Sequence, residues 1–325
     1  MEGLQEIGVI WRSELGQSLK SGRIVVLLVL FLLFTGLALT GIGWASWQWN
    51  QKQTKAFEDE IAQSPYKDDL DPAKVAEQRK KATEGSEGKK FIINFLFSDD
   101  DAALGEALLA IPFVLLIVFK LSIIFLPLFI TLMGFDQLSA EIGTRSIRYL
   151  VVRVRRSSLV LGKFVTQATV LALLMLVCVV AMIVVSLIVD PDFTVGKAMV
   201  TMLKLWLVSV VFSLAYLALT SMCSALFRQP PVSLVLNIIL LFVVWFIALI
   251  GDAYRLPGSN AASMSLQSLK PESAVGYVRY LSVWHFSADL IHPNWQRFGA
   301  AGLAHLGFAM LFLGAAYLVL RARDV

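Results

Sequence analysis

Residues 134–164 read GFDQLSAEIGTRSIRYLVVRVRRSSLVLGKF, and six cationic side chains (Arg145, Arg148, Arg153, Arg155, Arg156 and Lys163) crowd into this one connection between two apolar runs. The rest of the chain makes the crowding informative. Of its 325 residues 57% are hydrophobic and only 16% charged, with a mean hydropathy of +0.72. Soluble domains carry about 25% charged residues, so composition alone places this chain in a membrane. The formal charge of +4 is small; where the cations sit matters more, because Lys and Arg in short loops set the orientation of a membrane chain.

A spanning helix needs about 20 mostly apolar residues. That requirement predicts spans at 24–43, 117–135, 159–189, 198–226, 232–250 and 300–320. The apolar run 104–135 is too long for one span, and Pro112 divides it into an interfacial helix and the second span. The expected fold is therefore an all-α polytopic membrane protein with six transmembrane helices and a sizeable extracytoplasmic loop. Arg12, Lys20 and Arg23 precede the first span, the quoted cations follow the second, Arg228 follows the fourth, and Arg321 and Arg323 follow the sixth. All four groups share one side if the chain starts inside, which predicts cytoplasmic termini. The segments 44–116 and 251–299 then lie outside, and 136–158 and 321–325 inside.

Residues 1–23 place Leu4, Ile7, Trp11, Leu15 and Leu19 on one helical stripe, with Arg12, Glu14 and Lys20 off it. This pattern predicts an amphipathic helix along the cytoplasmic membrane surface. The first span is too long for a cleavable signal peptide, and Trp44, Trp47 and Trp49 follow it as an interfacial cluster. In the outer segment, Asp71 as N-cap with Pro72 behind it predicts a short helix. Asp99, Asp100 and Asp101 read as helix-dipole partners rather than a cation site. Cys178 and Cys223 sit inside apolar runs as packing residues, and three scattered histidines do not compose a metal centre.

The Gly162-Lys163 pair is not a nucleotide signature. A phosphate-binding loop needs G-x-x-x-x-G-K-[ST], whereas Phe164 follows this lysine and Ser157 occupies the first glycine's place. The chain is thus not expected to be an enzyme or to bind a cofactor. From Asp136 onward, a continuous helix would put Glu141, Arg145 and Arg148 on one face and Leu138, Ile142 and Tyr149 on another. A Glu-to-Arg i, i+4 pair contributes only about 0.2–0.5 kcal/mol, too little to explain the cluster. Two readings stay open on charge alone: contact with anionic lipid, at about 1 kcal/mol per cation, or a surface for a cytoplasmic partner.

AEIGTRSIRYLVVRVRRSSLVLGKF (140–164) resembles a segment of the ABC type-2 transporter permeases, the membrane subunits of bacterial ABC exporters. Glu141, Thr144 or Ser146, Ile147-Arg148, Leu150, Arg153, Arg156 and Gly162-Lys163 follow that family's pattern in order and spacing, while Val154 stands where the family often carries proline. The leading stretch IWRSELGQSLKSGR and the six-span layout are similar too. The resemblance implies that 136–158 carries a coupling helix docking on a separate ATPase dimer, which holds the ATP and magnesium. It also implies a second permease copy or paralogue. Asp136, Glu141, Thr144, Arg145, Arg148, Arg153, Gly162 and Lys163 are the coupling candidates.

Lys120, Asn237 and His305 are the intramembrane pathway candidates, since polar groups there usually face an interior or water path. Their bland readings are a snorkelling lysine and hydrogen bonds between packed helices. An alternative function is a non-transporting subunit that passes ATPase-driven motion to an extracytoplasmic protein through 44–103 and 252–299. No H-E-x-x-H or G-x-S-x-G motif and no paired membrane carboxylates support an intramembrane enzyme or a proton carrier, and no nucleic-acid partner is expected. In intact cells, cysteines introduced at 75 and 265 should react with an impermeant thiol reagent, and those at 10, 157 and 323 should not. Labelling at 157 from outside would reverse the orientation.

Overall fold

The computed structural model describes residues 2–20, 22–63, 113–189, 195–253 and 274–323. Among them, nine α-helices and two 3-10 helices follow one another with no strand. The α-helices are α1 (Glu2–Lys20), α2 (Gly22–Gln63), α3 (Phe113–Gly134), α4 (Ser139–Gly143), α5 (Ile147–Arg153), α6 (Arg156–Val189), α7 (Val195–Leu226), α8 (Pro230–Ala253) and α9 (Trp295–Ala322). The 3-10 helices, Ala274–Leu281 and Val283–Ser287, precede α9. The helix expected after Asp71, the acids 99–101 and the interfacial stretch before Pro112 lie outside the described residues.

Among the described residues five helices are long and apolar enough to cross a membrane, or six if α1 and the start of α2, bent by 64°, count as one span. The chain is an all-α polytopic membrane protein. It divides into two compact units, residues 1–31 with 122–325, and residues 32–121. In the second unit α2 does not stop at the tryptophans but continues to Gln63. The stretch WASWQWNQKQTKAFEDEIAQ contains neither glycine nor proline and is rich in good helix formers, so nothing ends the helix at the interface.

In the first unit α7 is the central element, packed most extensively on α9 and also on α6 and α8. Phe212, Ala215, Leu217 and Cys223 on α7 are fully buried. By contrast α8 leaves Val235, Ile239, Phe242, Phe246 and Leu249 exposed, a stripe with i, i+3/i+4 spacing that suits a lipid-facing side.

The connection between α3 and α6 departs from the single helix expected. It folds as two short helices, α4 and α5, separated by a turn at 144–146 in which Arg145 takes a left-handed φ of 59°. Side-chain hydroxyls account for the break. The Glu141 carbonyl accepts from Thr144 Oγ1 and from Ser146 Oγ, each at 3.4 Å, while the Arg145 N–H turns to the Ile142 carbonyl at 3.3 Å, so the two hydroxyls stand where the next ladder bond would be. Glu141 therefore parts from Arg145 and Arg148. Likewise Leu138 and Ile142 are buried while Tyr149 is 80% exposed.

What holds this connection is a small core at the end of the bundle. Leu138, Ile142 and Ile147 from the loop pack with Leu159 and Val160 of α6, Ala225 of α7, and Ala316 and Leu320 of α9. Gly143 lets the end of α4 rest on the α7–α8 turn, since a Cβ there would lie 2.5 Å from the Arg228 carbonyl oxygen. The start of α4 has no cap of its own from Leu138. Instead Ser224 Oγ on α7 accepts from the backbone N–H of Leu138 at 2.8 Å and of Ser139 at 3.0 Å. Two donors that a helix start leaves unpaired are thus satisfied from another span. Ser224→Ala should cost about 0.5–2 kcal/mol, the range for losing an N-cap. Thermal unfolding in detergent should register the loss, whereas Ser209→Ala, which removes only an intrahelical bond to Leu205, should leave the midpoint nearly unchanged.

Candidate functional site

Lys163 lies two turns into α6 and its side chain is 5% exposed. Its Nζ is 2.8 Å from Glu14 Oε1 on α1 and 2.7 Å from Glu141 Oε1 on α4. One ammonium therefore joins three elements that are remote in sequence. A buried ion pair of this kind adds little net stability compared with apolar packing, but removing one partner leaves a charge uncompensated, at about 3–5 kcal/mol. The arrangement is better understood as a fastening that fixes position than as a source of stability.

The glycine before it has a matching task. A Cβ on residue 162 would lie 2.8 Å from Ile10 Cγ2 and 2.9 Å from Ile10 Cβ, so only glycine lets α1 approach α6 this closely. Trp11 Nε1 then donates to Thr169 Oγ1 at 3.1 Å, a turn and a half further along α6. The Gly-Lys pair thus admits α1 with one residue and fastens it with the next. The face of α1 that meets α6 carries Glu6, Ile10, Trp11 and Glu14, while Leu4 and Leu19 of the apolar stripe remain 78% and 55% exposed.

The remaining cations divide by task. Arg156 donates from one guanidinium nitrogen to the carbonyls of Leu320 at 3.0 Å, Arg321 at 2.8 Å and Arg323 at 3.3 Å, and so caps the C-terminus of α9. Arg323 donates in turn to the Leu226 carbonyl at the end of α7. Arg155, 62% exposed, stands 4.0 Å from Glu6, a pair of little weight. Arg145 and Arg148 are exposed; the side chain of Arg153 lies outside what is described. The leading helix, the loop, the α7–α8 turn and the end of α9 meet at one end of this unit.

Of the coupling candidates, the structure turns Glu141, Gly162 and Lys163 inward and leaves Thr144, Arg145 and Arg148 on the outer surface, beside Tyr149 and Val152, 80% and 87% exposed. Asp136 lines a cleft of about 450 Å³ together with Glu14, Gln137, Glu141, Lys163 and Gln167. Two of the pathway candidates, Asn237 and His305, lie in this unit and do not line the cleft. Asn237 is fully buried and donates to Thr220 Oγ1 at 2.8 Å, linking α8 to α7. His305 is fully buried, its Nδ1 2.8 Å from the Ala301 carbonyl one turn back, its ring 5.7 Å from that of Phe212. Lys120, half-buried on α3, belongs to the other unit. Glu14 and Ser224 escaped sequence reasoning. Glu14 gave one signal, a carboxylate on an otherwise unexplained polar edge of α1.

Lys163→Met should destabilise the chain by about 3–5 kcal/mol, because Glu14 and Glu141 lose their shared counter-charge. Arg155→Ala should cost less than about 1 kcal/mol. Thermal unfolding of both variants in the same detergent decides it, and equal midpoints would mean that the Lys163 fastening is loose.

No curated protein matches the chain. The sequence model of the ABC-2 family transporter protein matches residues 9–325, from the middle of α1 past the end of α9. The match takes in the Gly162-Lys163 pair, the loop helices and every membrane-spanning helix described above, and the chain belongs to the ABC-2 family of transporter membrane proteins.

Proposed function

We propose that this chain is the permease subunit of an ABC exporter in the bacterial inner membrane, with both termini cytoplasmic, working as a pair of permease copies or paralogues on a separate ATPase dimer. Family membership supports an ABC transporter membrane subunit; the single observation that carries the coupling role is the construction of the loop. Its inner side is set in a core shared by α6, α7 and α9, and its outer side presents Thr144, Arg145, Arg148 and Tyr149. A body so joined cannot shift without moving three helices, which is what transmission of ATPase closure to the spans requires. The ATP and magnesium belong to the partner, since the chain has no phosphate-binding loop.

The inward and outward residues then have different roles. Arg145 and Arg148 contact the ATPase, while Glu141, Lys163 and Gly162 keep the contact surface in register with α1 and the spans. Truncating one partner of a charge pair buried at a protein interface costs about 2–5 kcal/mol, whereas losing one lipid contact costs about 1 kcal/mol. Co-purification of the ATPase should accordingly fall at least about 10-fold for Arg148→Ala, and change little for Arg12→Ala, an exposed cation on α1. Equal, mild losses in both would reduce the loop cations to an anchor for topology.

A further inference from the structure

The cleft at the end of the bundle has a chemistry that the coupling role does not use. Its described lining includes three carboxylates, Glu14, Asp136 and Glu141, against one ammonium, Lys163. Two donors there are committed: Lys163 to Glu14 and Glu141, and the Thr166 hydroxyl to the Gly162 carbonyl at 2.9 Å. Two acceptors are not. Glu141 Oε2 and Gln167 Oε1 are buried without a hydrogen-bond partner, an expensive condition for groups of this kind. A ligand that completes this lining brings N–H donors and positive charge.

The cleft has a second, apolar wall of Ile24, Leu27, Met133 and Val170. Leu27 and Met133 continue into a narrow seam with Phe31, Phe129 and Leu174. Its volume of about 450 Å³ falls within the range of small-molecule sites, about 300–1,000 Å³. Among the described residues no group of His, Cys, Asp and Glu is placed to hold a metal ion, and a lysine amid the carboxylates disfavours one. We propose that this cleft binds the ammonium head group of an amphiphile, with the head against Asp136, Glu141 and Gln167 and the first part of the tail along Leu27 and Met133. The site shares Glu14 and Glu141 with the Lys163 fastening, so an occupant competes for the carboxylates that hold α1 to the loop. Binding does not depend on the ATPase reading and is measured without one.

The test is native mass spectrometry of the full-length chain released from detergent micelles, with phosphatidylethanolamine, phosphatidylglycerol and dodecylammonium chloride offered at equal concentration. Ammonium-bearing ligands should be retained at least about fivefold over phosphatidylglycerol. Retention of phosphatidylethanolamine assigns the head group to the bilayer, and retention of dodecylammonium alone assigns it to a free amphiphile; either supports the site. Asp136→Asn, which removes one carboxylate and spares the Lys163 bridge, should lower that retention at least about fivefold. Met133→Trp, which fills the cleft from its apolar side, should do the same. Equal retention of phosphatidylglycerol, or ammonium binding unchanged in both variants, would overturn the proposal.

Discussion

An ammonium group buried between two carboxylates sets the geometry on which the rest of this bundle end depends. Lys163 cannot be withdrawn from water unless Glu14 and Glu141 both arrive, and neither arrives unless α1 and α4 are placed correctly. Glycine at 162 makes the first approach sterically allowed. The core around Leu138, Ile142 and Leu320 makes the second one apolar and close-packed. Charge and packing thus impose the same arrangement, and a slip in either would strand a charge in a poorly solvated place. The two helix ends capped by Arg156 and Arg323 extend this logic to α9 and α7.

How much of this was legible in the sequence depended on the range of the interaction. Apolar length is a property of each segment by itself, and α6, α7, α8 and α9 are each long and apolar enough to cross a membrane. The tryptophans after the first span were a poorer guide: they mark an interface but do not end a helix, and α2 runs on to Gln63. Glu141, Arg145 and Arg148 seemed to share a face because periodicity assumes an unbroken helix. The hydroxyls of Thr144 and Ser146 break it at the Glu141 carbonyl, and that competition is visible only when the carbonyl they take is known.

The site was half legible for the same reason. Gly162-Lys163 stood out as a pair, and its failure as a phosphate loop could be read directly. What it does instead needed a partner 149 residues away in α1, and no spacing rule reaches that far. Lys163 was grouped with the loop cations by proximity in sequence, although its position on α6 sends it into the interior. Asn237 and His305 drew notice as polar residues in apolar runs. Each makes one hydrogen bond, Asn237 to a neighbouring helix and His305 to its own, and each keeps a buried polar atom, Asn237 Oδ1 and His305 Nε2, with no hydrogen-bond partner.

The cap that Ser224 provides has a consequence for the order of assembly. Helix α4 owes its first two paired N–H groups to a residue 86 positions later than the first of them. At five residues, α4 is far too short to persist unaided. During synthesis, then, the loop emerges with the right sequence and the wrong shape, and it acquires its helical form only once α7 has been inserted and has come alongside. Its folded surface is in effect a certificate of completion, available to a partner only from chains whose fourth span is already in the bundle.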